Sequence, residues 1–241
     1  MTMKNFKSVS ILIAVLLCGT FVSAQTADEI IAKYLQTMGG KEQIAKVNSV
    51  YTEGNMDVMG NAGPLKITVL NGKGYKMDVE IMGSLITSCF NEKEGWSVNP
   101  MMGNSTATTM PEAQYKAGRD QIFIGAPFIF YQEKGYKAEL QGAETIGDIN
   151  TWKVKLTSPE NNAVTYFFDQ TTGYLIRTIT QTEMQGSMVD NVMTFSDYRV
   201  TDGFPQSYKM NMNVGGQFEM TMNINKVEVN KTIDEAIFAK P

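Results

Sequence analysis

The sequence predicts a mainly β protein with a few helices, in which one large antiparallel sheet has an apolar face and a wet face. Apolar and polar residues alternate along most of the chain, and short turn motifs separate the alternating runs. The pattern is clearest over residues 151–177, TWKVKLTSPENNAVTYFFDQTTGYLIR, where Trp152, Val154 and Leu156 alternate with polar residues before the first of two turns. Such a meander gives a one-sided sheet, so the functional question is what its concave face holds.

The first 24 residues have the composition of a secretory signal peptide. Lys4 and Lys7 form a basic start, residues 11–17 are apolar, and small residues precede a cleavage point after Ala24. The apolar run is too short to be a good membrane span. We therefore predict a protein exported to the periplasm, with residues 25–241 forming a single domain and no transmembrane segment in the mature chain.

A lipid anchor is the alternative for this segment. Cys18 is followed by Gly19, as in bacterial lipoprotein signals, but Leu17 is larger than the residue that such a signal places before its cysteine. Cleavage after residue 24 would remove two lysines and no acid, which changes the formal charge from −4 to −6. The mature chain then has no basic tract for nucleic acid. It retains one cysteine, Cys89, so no intrachain disulfide is expected.

A helix is predicted directly after the cleavage point. Thr26 or Asp28 can cap its start, and Gly39 with Gly40 would end it. Its apolar face consists of Ile30, Ile31, Tyr34, Leu35 and Met38. A second short turn over residues 41–47 repeats the pattern with Ile44 and Val47. This apolar face is expected to plug the sheet, and a mobile lid is the alternative.

Several strands follow before residue 100. The predicted elements are a long strand from Asn48 to Met59, a turn over residues 61–64, strands over 65–69 and 75–81 around an Asn71-Gly72 turn, and strands over 85–90 and 95–98. Neither the alternation nor the turns indicate a function.

The alternating pattern breaks between residues 101 and 136. A loop is followed by a predicted helix from Pro111 to Arg119 and by a strongly apolar run over residues 121–131. This run is too short to span a bilayer. It either packs inside the sheet or guards an opening, and packing is the expectation because apolar runs in soluble proteins are usually core. From Gly135 the meander resumes and includes a strand over residues 187–200.

The C-terminal strands are rich in methionine. Apolar residues occupy the even positions of 208–214 and again of 218–224, on either side of a Gly215-Gly216 turn, and a change of parity predicts a bulge near Asn225-Lys226. Methionine is not a favoured strand residue. Its flexible, polarizable side chain suits a surface that adapts to variable apolar ligands, and an ordinary core is the alternative.

The sequence contains little of the usual chemistry of catalysis. It has no histidine, and its mature cysteine therefore has no histidine partner. The glycines lie in turns and form neither a phosphate-binding nor a dinucleotide-binding motif. Carboxylate pairs such as Glu92 with Glu94 and Asp197 with Asp202 fall at turns, where solvated caps explain them. We therefore expect that the protein is not an enzyme and that it holds no cofactor or metal. The alternative is a hydrolase in which two carboxylates distant in sequence meet in space.

Three stretches resemble the LolA-like superfamily of exported lipoprotein-sorting proteins. They are the amphipathic start EIIAKYLQTMGGKEQIAKVNSV, the meander WKVKLTSPENNAVTYFFDQTTGYLIR, and the ending DYRVTDGFPQSYKMNMN with INKVEVNKTIDEAIFAKP. The resemblance implies a curved antiparallel sheet of about eleven strands, forming an incomplete, half-open barrel closed by helices. It implies an apolar cavity for acyl chains, carriage of lipid or lipoprotein without catalysis, and sorting partners at the inner or outer membrane. Ile233 and Phe238 would pack back onto the sheet.

The resemblance transfers few functional residues. The carrier of that family has an arginine on an early strand that helps keep its lid closed, whereas residues 48–59 here contain no arginine. This difference favours general lipid binding over a named step of lipoprotein sorting, and an envelope partner-binding or stress-sensing module is the alternative. If the even-numbered face points inward, the cavity candidates are Tyr208, Met210, Met212, Phe218, Met220, Met222, Met77, Ile81, Phe123, Phe128 and Phe130.

Overall fold

The structure, a computed structural model, describes residues 25–184 and 186–241. The predicted signal peptide and Cys18 lie outside these residues. The helices are α1 (Ala27–Thr37), α2 (Lys41–Ala45) and α3 (Glu112–Gly118), with short 3-10 helices at Pro100–Met102, Arg119–Ile122 and Glu235–Phe238.

Thirteen strands form one antiparallel sheet. They are β1 (Ser49–Val58), β2 (Asn61–Leu70), β3 (Gly74–Ile81), β4 (Ser84–Asn91), β5 (Gly95–Asn99), β6 (Asn104–Thr109), β7 (Lys137–Ile146), β8 (Ile149–Thr157), β9 (Ala163–Asp169), β10 (Leu175–Met184), β11 (Ser187–Thr201), β12 (Phe204–Val214) and β13 (Phe218–Val229). Their order is β6-β5-β4-β3-β2-β1-β13-β12-β11-β10-β9-β8-β7. The first and last strands of the chain pair at the centre, and β6 and β7 are the edges of a sheet that does not close into a barrel.

The predicted fold class is confirmed, but the sheet has thirteen strands rather than about eleven, and two of the predicted elements differ. Strand β6 was not predicted, because its sequence NSTATT is polar and mostly exposed and so lacks alternation. The turn predicted over residues 61–64 is wrong, since these residues begin β2 and the turn lies at Met59-Gly60. The physical reason is close strand packing, because a Cβ at Gly63 would overlap the carbonyl oxygen of Glu80.

The bulge predicted near residue 225 is confirmed. Glu53 pairs with Lys226, whereas the next residue, Gly54, pairs with Ile224. Asn225 is therefore the extra residue of β13, and the bulge keeps both parts of this strand in register with β1.

Helix α1 packs on one face of the sheet, which we call the concave side. Thr26 and Glu29 form a reciprocal capping box at its start. The buried side chains of α1 are Ala27, Ile30, Ile31 and Leu35. They belong to the main hydrophobic cluster, which takes residues from strands on both sides of the central β1–β13 pair. The sheet therefore wraps around the helix, and the expectation that α1 plugs the sheet is confirmed.

The C-terminal 3-10 helix covers a second cluster, made of Phe238, Cys89 and Trp96. The indole Nε1 of Trp96 donates to the Phe238 carbonyl oxygen at 3.0 Å. Burial raises the pKa of the Cys89 thiol to about 12. Ile233 packs beside this cluster, so both C-terminal residues pack onto the sheet as expected.

A crossover segment, residues 110–136, connects the two edges of the sheet from β6 to β7. Its buried side chains are Met110, Ile122, Ile124, Phe128 and Tyr131. The packing expected for the apolar run over residues 121–131 is confirmed at the last four of these, whereas Phe123, Ile129 and Phe130 remain half-buried.

Within residues 25–184 and 186–241, no helix combines the length and the apolar character needed to cross a bilayer.

Candidate functional site

A cavity of about 1110 Å³ lies between the crossover segment and strands β8 to β11. One wall is formed by Val69, Tyr75 and residues of the crossover segment, namely Lys116, Ala117, Arg119, Asp120, Gln121, Phe123, Ala126, Pro127 and Tyr136. The turn between β8 and β9 and the hairpin of β10 and β11 contribute the other. Apolar lining residues include Phe123, Pro127, Leu156, Val164, Tyr166 and Ile179.

Aromatic rings hold the crossover segment against the floor of this cavity. The ring centroid of Phe128 lies 5.0 Å from that of Tyr34 on α1 and 4.7 Å from that of Tyr166 on β9. Phe168 lies 5.6 Å away on the same strand. Burial raises the pKa of Tyr166, so its hydroxyl stays neutral at physiological pH. This packing fixes one wall of the cavity in place.

Paired charges surround the cavity where the crossover segment meets the β8–β9 turn. Arg119 contacts Glu160 at 3.3 Å. Asp120 accepts hydrogen bonds from the Lys134 ammonium and the Tyr136 hydroxyl, each at 2.7 Å. Burial, together with this bond to Asp120, raises the pKa of Tyr136. These contacts join the crossover segment to itself and to the sheet, and they place polar groups beside the apolar lining.

The methionines form a surface that spans four strands on the concave side. One row pairs Met193, Met212, Met220 and Val58 across β11, β12, β13 and β1. The next row pairs Phe195, Met210, Met222 and Met56 in the same way. We call these eight residues the methionine face. Burial increases along β13 and β1, where Met222 and Met56 are 8% and 6% exposed and Met220 and Val58 are half-buried. The four members from β11 and β12 are half-buried in both rows.

The predicted site residues fall into three groups. Tyr208, Met222, Ile81 and Phe128 are buried in the main cluster, and Met77, Met210 and Met220 pack against it partly buried. Met212 and Phe218 are half-buried near the β12–β13 turn, and Phe130 is half-buried beneath the Lys134 ammonium, 3.9 Å from its ring centroid. Phe123 lines the cavity. The structure thus brings the methionines of β12 and β13 together, and it places Phe123 apart from them.

The cavity and the methionine face adjoin across β11. Asn191 lines the cavity and pairs with Thr180, another lining residue, on one side. On its other side it pairs with Val214 of β12, the residue that follows Met212 on the same face. Thr180, Thr182 and Asn191 were missed as site residues because polar alternation indicates a solvent-facing surface. The concave side therefore carries a mixed cavity that continues into an apolar surface.

In the part of the chain that the structure describes, no group of three or more His, Cys, Asp or Glu side chains is arranged to hold a metal ion.

The chain matches no family model, and no curated protein matches it in sequence. Several solved structures are similar in fold. A DUF1329 family protein from Desulfovibrio piger has a TM-score of 0.61 at 12% identity, over 90% of this chain and 98% of its own. A LolA superfamily protein from Nitrosomonas europaea has a TM-score of 0.60 at 12% identity, over 90% of this chain and 99% of its own.

A third similar structure is described as an outer membrane lipoprotein-sorting protein domain from Vibrio parahaemolyticus. Its TM-score is 0.59 at 13% identity, over 88% of this chain and 96% of its own. Each match covers nearly the full length of both chains, so the fold is LolA-like.

Proposed function

We propose that this LolA-like protein is a non-catalytic periplasmic carrier that holds the acyl chains of a lipid or lipoprotein on the concave side of its sheet. The role would be in outer-membrane lipoprotein sorting or lipid transport. Residues 1–24 would direct export and be removed, leaving residues 25–241 as the working domain.

The observation that carries this proposal is the continuity between the cavity and the methionine face. The cavity, at about 1110 Å³, slightly exceeds the pockets of roughly 300–1000 Å³ that hold small ligands. A flexible acyl chain could extend from it past Asn191 onto the half-buried methionines. Each methylene removed from water contributes about 0.8 kcal/mol, so burial of part of one chain gives several kcal/mol before ordering costs.

The methionines suit a ligand without fixed shape. Their unbranched side chains have several rotatable bonds and repack around different apolar surfaces at little cost. The name of the similar structure from Vibrio parahaemolyticus, a lipoprotein-sorting protein domain, supports the same class of ligand.

The first test is native mass spectrometry of protein purified from a bacterial envelope, followed by solvent extraction and lipid analysis. Co-purifying phospholipid or acylated peptide is the expected result, and it would identify the class of cargo. A ligand-free mass, combined with no uptake of a fluorescent fatty acid, would overturn the carrier and favour a partner-binding module on the same fold.

Two matched double variants test where the chain binds. Met212 and Met220 are cross-strand neighbours on the methionine face, and both are half-buried. Changing both to Glu should reduce fatty-acid uptake at least tenfold, because burial of a charge beside an acyl chain is costly. Asn55 and Asn223 are cross-strand neighbours with exposed side chains. Changing both to Glu adds the same two charges and should leave uptake unchanged. Equal uptake by both variants would show that the methionine face is not the binding surface.

A further inference from the structure

The structure carries exposed apolar side chains at one end of the sheet, and we propose that they dock the protein onto a zwitterionic phospholipid bilayer. The side chains are Met59, Met82, Leu85, Met101, Met102 and Met188, and we call them the apolar rim. Their exposed fractions run from 54% to 78%. The inference deepens the proposed function and rests on it in one respect, because a carrier of acyl chains must exchange them with a membrane.

Strand pairing places all six residues at the same end of the sheet. Met59 lies in the β1–β2 turn, and Met82 in the β3–β4 turn with Leu85 just after it. Met101 and Met102 lie between β5 and β6, and Met188 begins β11. In an antiparallel meander these connections alternate with those at the opposite end, and the pairs Val58 with Met220 and Asn191 with Val214 bring the β10–β11 hairpin to the same end. Among the residues that the structure describes, six of the nine exposed large hydrophobic side chains therefore lie at one end of the sheet.

Two of these methionines occupy turn positions that other residues fill more easily. Met59-Gly60 and Met82-Gly83 are two-residue hairpin turns in which both residues have positive φ, with Met59 and Met82 each at 51°. Asn or Asp normally precedes glycine in such turns, since a left-handed conformation is unfavourable for other side chains. The chain itself uses Asp202-Gly203 in the equivalent turn at the opposite end, where Asp202 has φ 51°. The rim thus presents methionine at a conformational cost that the other end avoids.

The arrangement fits a fluid bilayer better than a rigid protein partner. The side chains project from four separate connections, whereas a stable protein interface needs a continuous, well-packed patch. Separate apolar tips can each enter the boundary between headgroups and acyl chains.

The charged residues near the rim indicate the headgroup charge of the bilayer that it would bind. The charged residues within two positions of a rim residue are Asp57, Glu80 and Asp190, and none is basic. The cavity that Met188 lines also carries Lys116, Arg119 and Lys155, of which the first two are paired with Glu112 and Glu160. Docking is therefore expected to depend on apolar insertion rather than on attraction to anionic lipid. Binding should be insensitive to salt and should weaken when anionic lipid is added.

The rim is continuous with the proposed binding surface. Met188 is 61% exposed and also lines the cavity. Met59 follows Val58, which belongs to the half-buried row of the methionine face. A docked rim would set the Met188 side of the cavity and the half-buried row of the methionine face beside the membrane from which an acyl chain leaves.

Flotation of the envelope-purified protein with phosphatidylcholine and phosphatidylethanolamine vesicles tests this inference. The informative variant is Met59→Asn with Met82→Asn, because asparagine accepts the left-handed turn and the fold should be at least as stable as before. We expect at least tenfold less vesicle-bound protein, an unchanged or higher melting temperature, and normal uptake of fluorescent fatty acid in vesicle-free solution.

The control replaces exposed apolar residues at the opposite end, with Ile149→Thr and Val200→Thr, and should bind vesicles like the wild type. Failure of the wild type to float, stronger flotation with phosphatidylglycerol, or equal losses in the rim and control variants would each overturn the docking inference. If the acyl-carrier proposal fails instead, the protein would still bind vesicles but would take up no fatty acid from solution.

Discussion

At the scale of single residues, the carboxylate of Asp169 illustrates how a turn at the end of the sheet opposite the apolar rim is stabilised. Its two oxygens accept hydrogen bonds from the Thr171 amide at 2.7 Å and from the Thr172 hydroxyl at 2.6 Å. Partial burial by itself would raise the pKa of Asp169, but these hydrogen bonds outweigh it and lower the pKa. The turn also meets α1, since the Lys33 ammonium donates to the Gln170 carbonyl oxygen.

The lowered pKa of Asp169 determines how its contribution to the free energy of unfolding varies with pH. Because the folded protein favours the ionised form, this stabilisation is present above the ordinary carboxyl pKa of about 3.9 and is lost as the pH falls through the folded value. Asp169→Asn should lower the free energy of unfolding by about 1 kcal/mol at pH 7, and by less in strong acid. Urea unfolding at both pH values measures it, with Asp148→Asn in the exposed β7–β8 turn as the control. An equal loss at both pH values would contradict the assignment.

At the scale of elements, the C-terminal 3-10 helix is fixed by a close approach to β3. A Cβ at Gly74 would overlap the ring of Phe238, which is 1% exposed. Gly74→Ala should therefore cost about 1–3 kcal/mol of stability through overpacking, and Phe238→Ala about 3–5 kcal/mol through a cavity. In the double variant the added methyl group has room, so the Gly74→Ala cost should vanish. A double-mutant cycle by chemical unfolding checks this coupling, and strictly additive losses would show that the two groups do not meet.

The individual strands show how much of the fold could be predicted from the sequence. Alternation identified β8, β9, β12 and β13, and the parity change located the bulge at Asn225, because both signals are local. The half-buried methionines of β12 were found for the same reason. A cavity was expected from the resemblance, but most of its lining could not be predicted, since its walls join residues as distant in sequence as Arg119 and Asn191. Only the path of the crossover segment between the sheet edges brings them together.

At the scale of the whole molecule, the crossover segment both stabilises the fold and forms the site, and two phenylalanines separate these roles. Phe128 is 2% exposed and packs on α1 and β9, whereas Phe123 is half-buried and lines the cavity. Phe128→Ala should lower the free energy of unfolding by about 3–5 kcal/mol, because it leaves a packing void where α1, the crossover segment and the sheet meet. Phe123→Ala should lower the free energy of unfolding by less than this. It should also weaken the binding of fatty acid, because it removes an apolar contact.

These matched substitutions distinguish a segment that only packs from one that also contacts ligand. Thermal or urea unfolding measures stability, and titration with a fluorescent fatty acid measures affinity on the same samples. A larger stability loss for Phe123→Ala than for Phe128→Ala would contradict the division of roles. Unchanged affinity in Phe123→Ala would place the acyl chain on the methionine face alone, since that surface lies across β11 from the crossover segment and does not include Phe123.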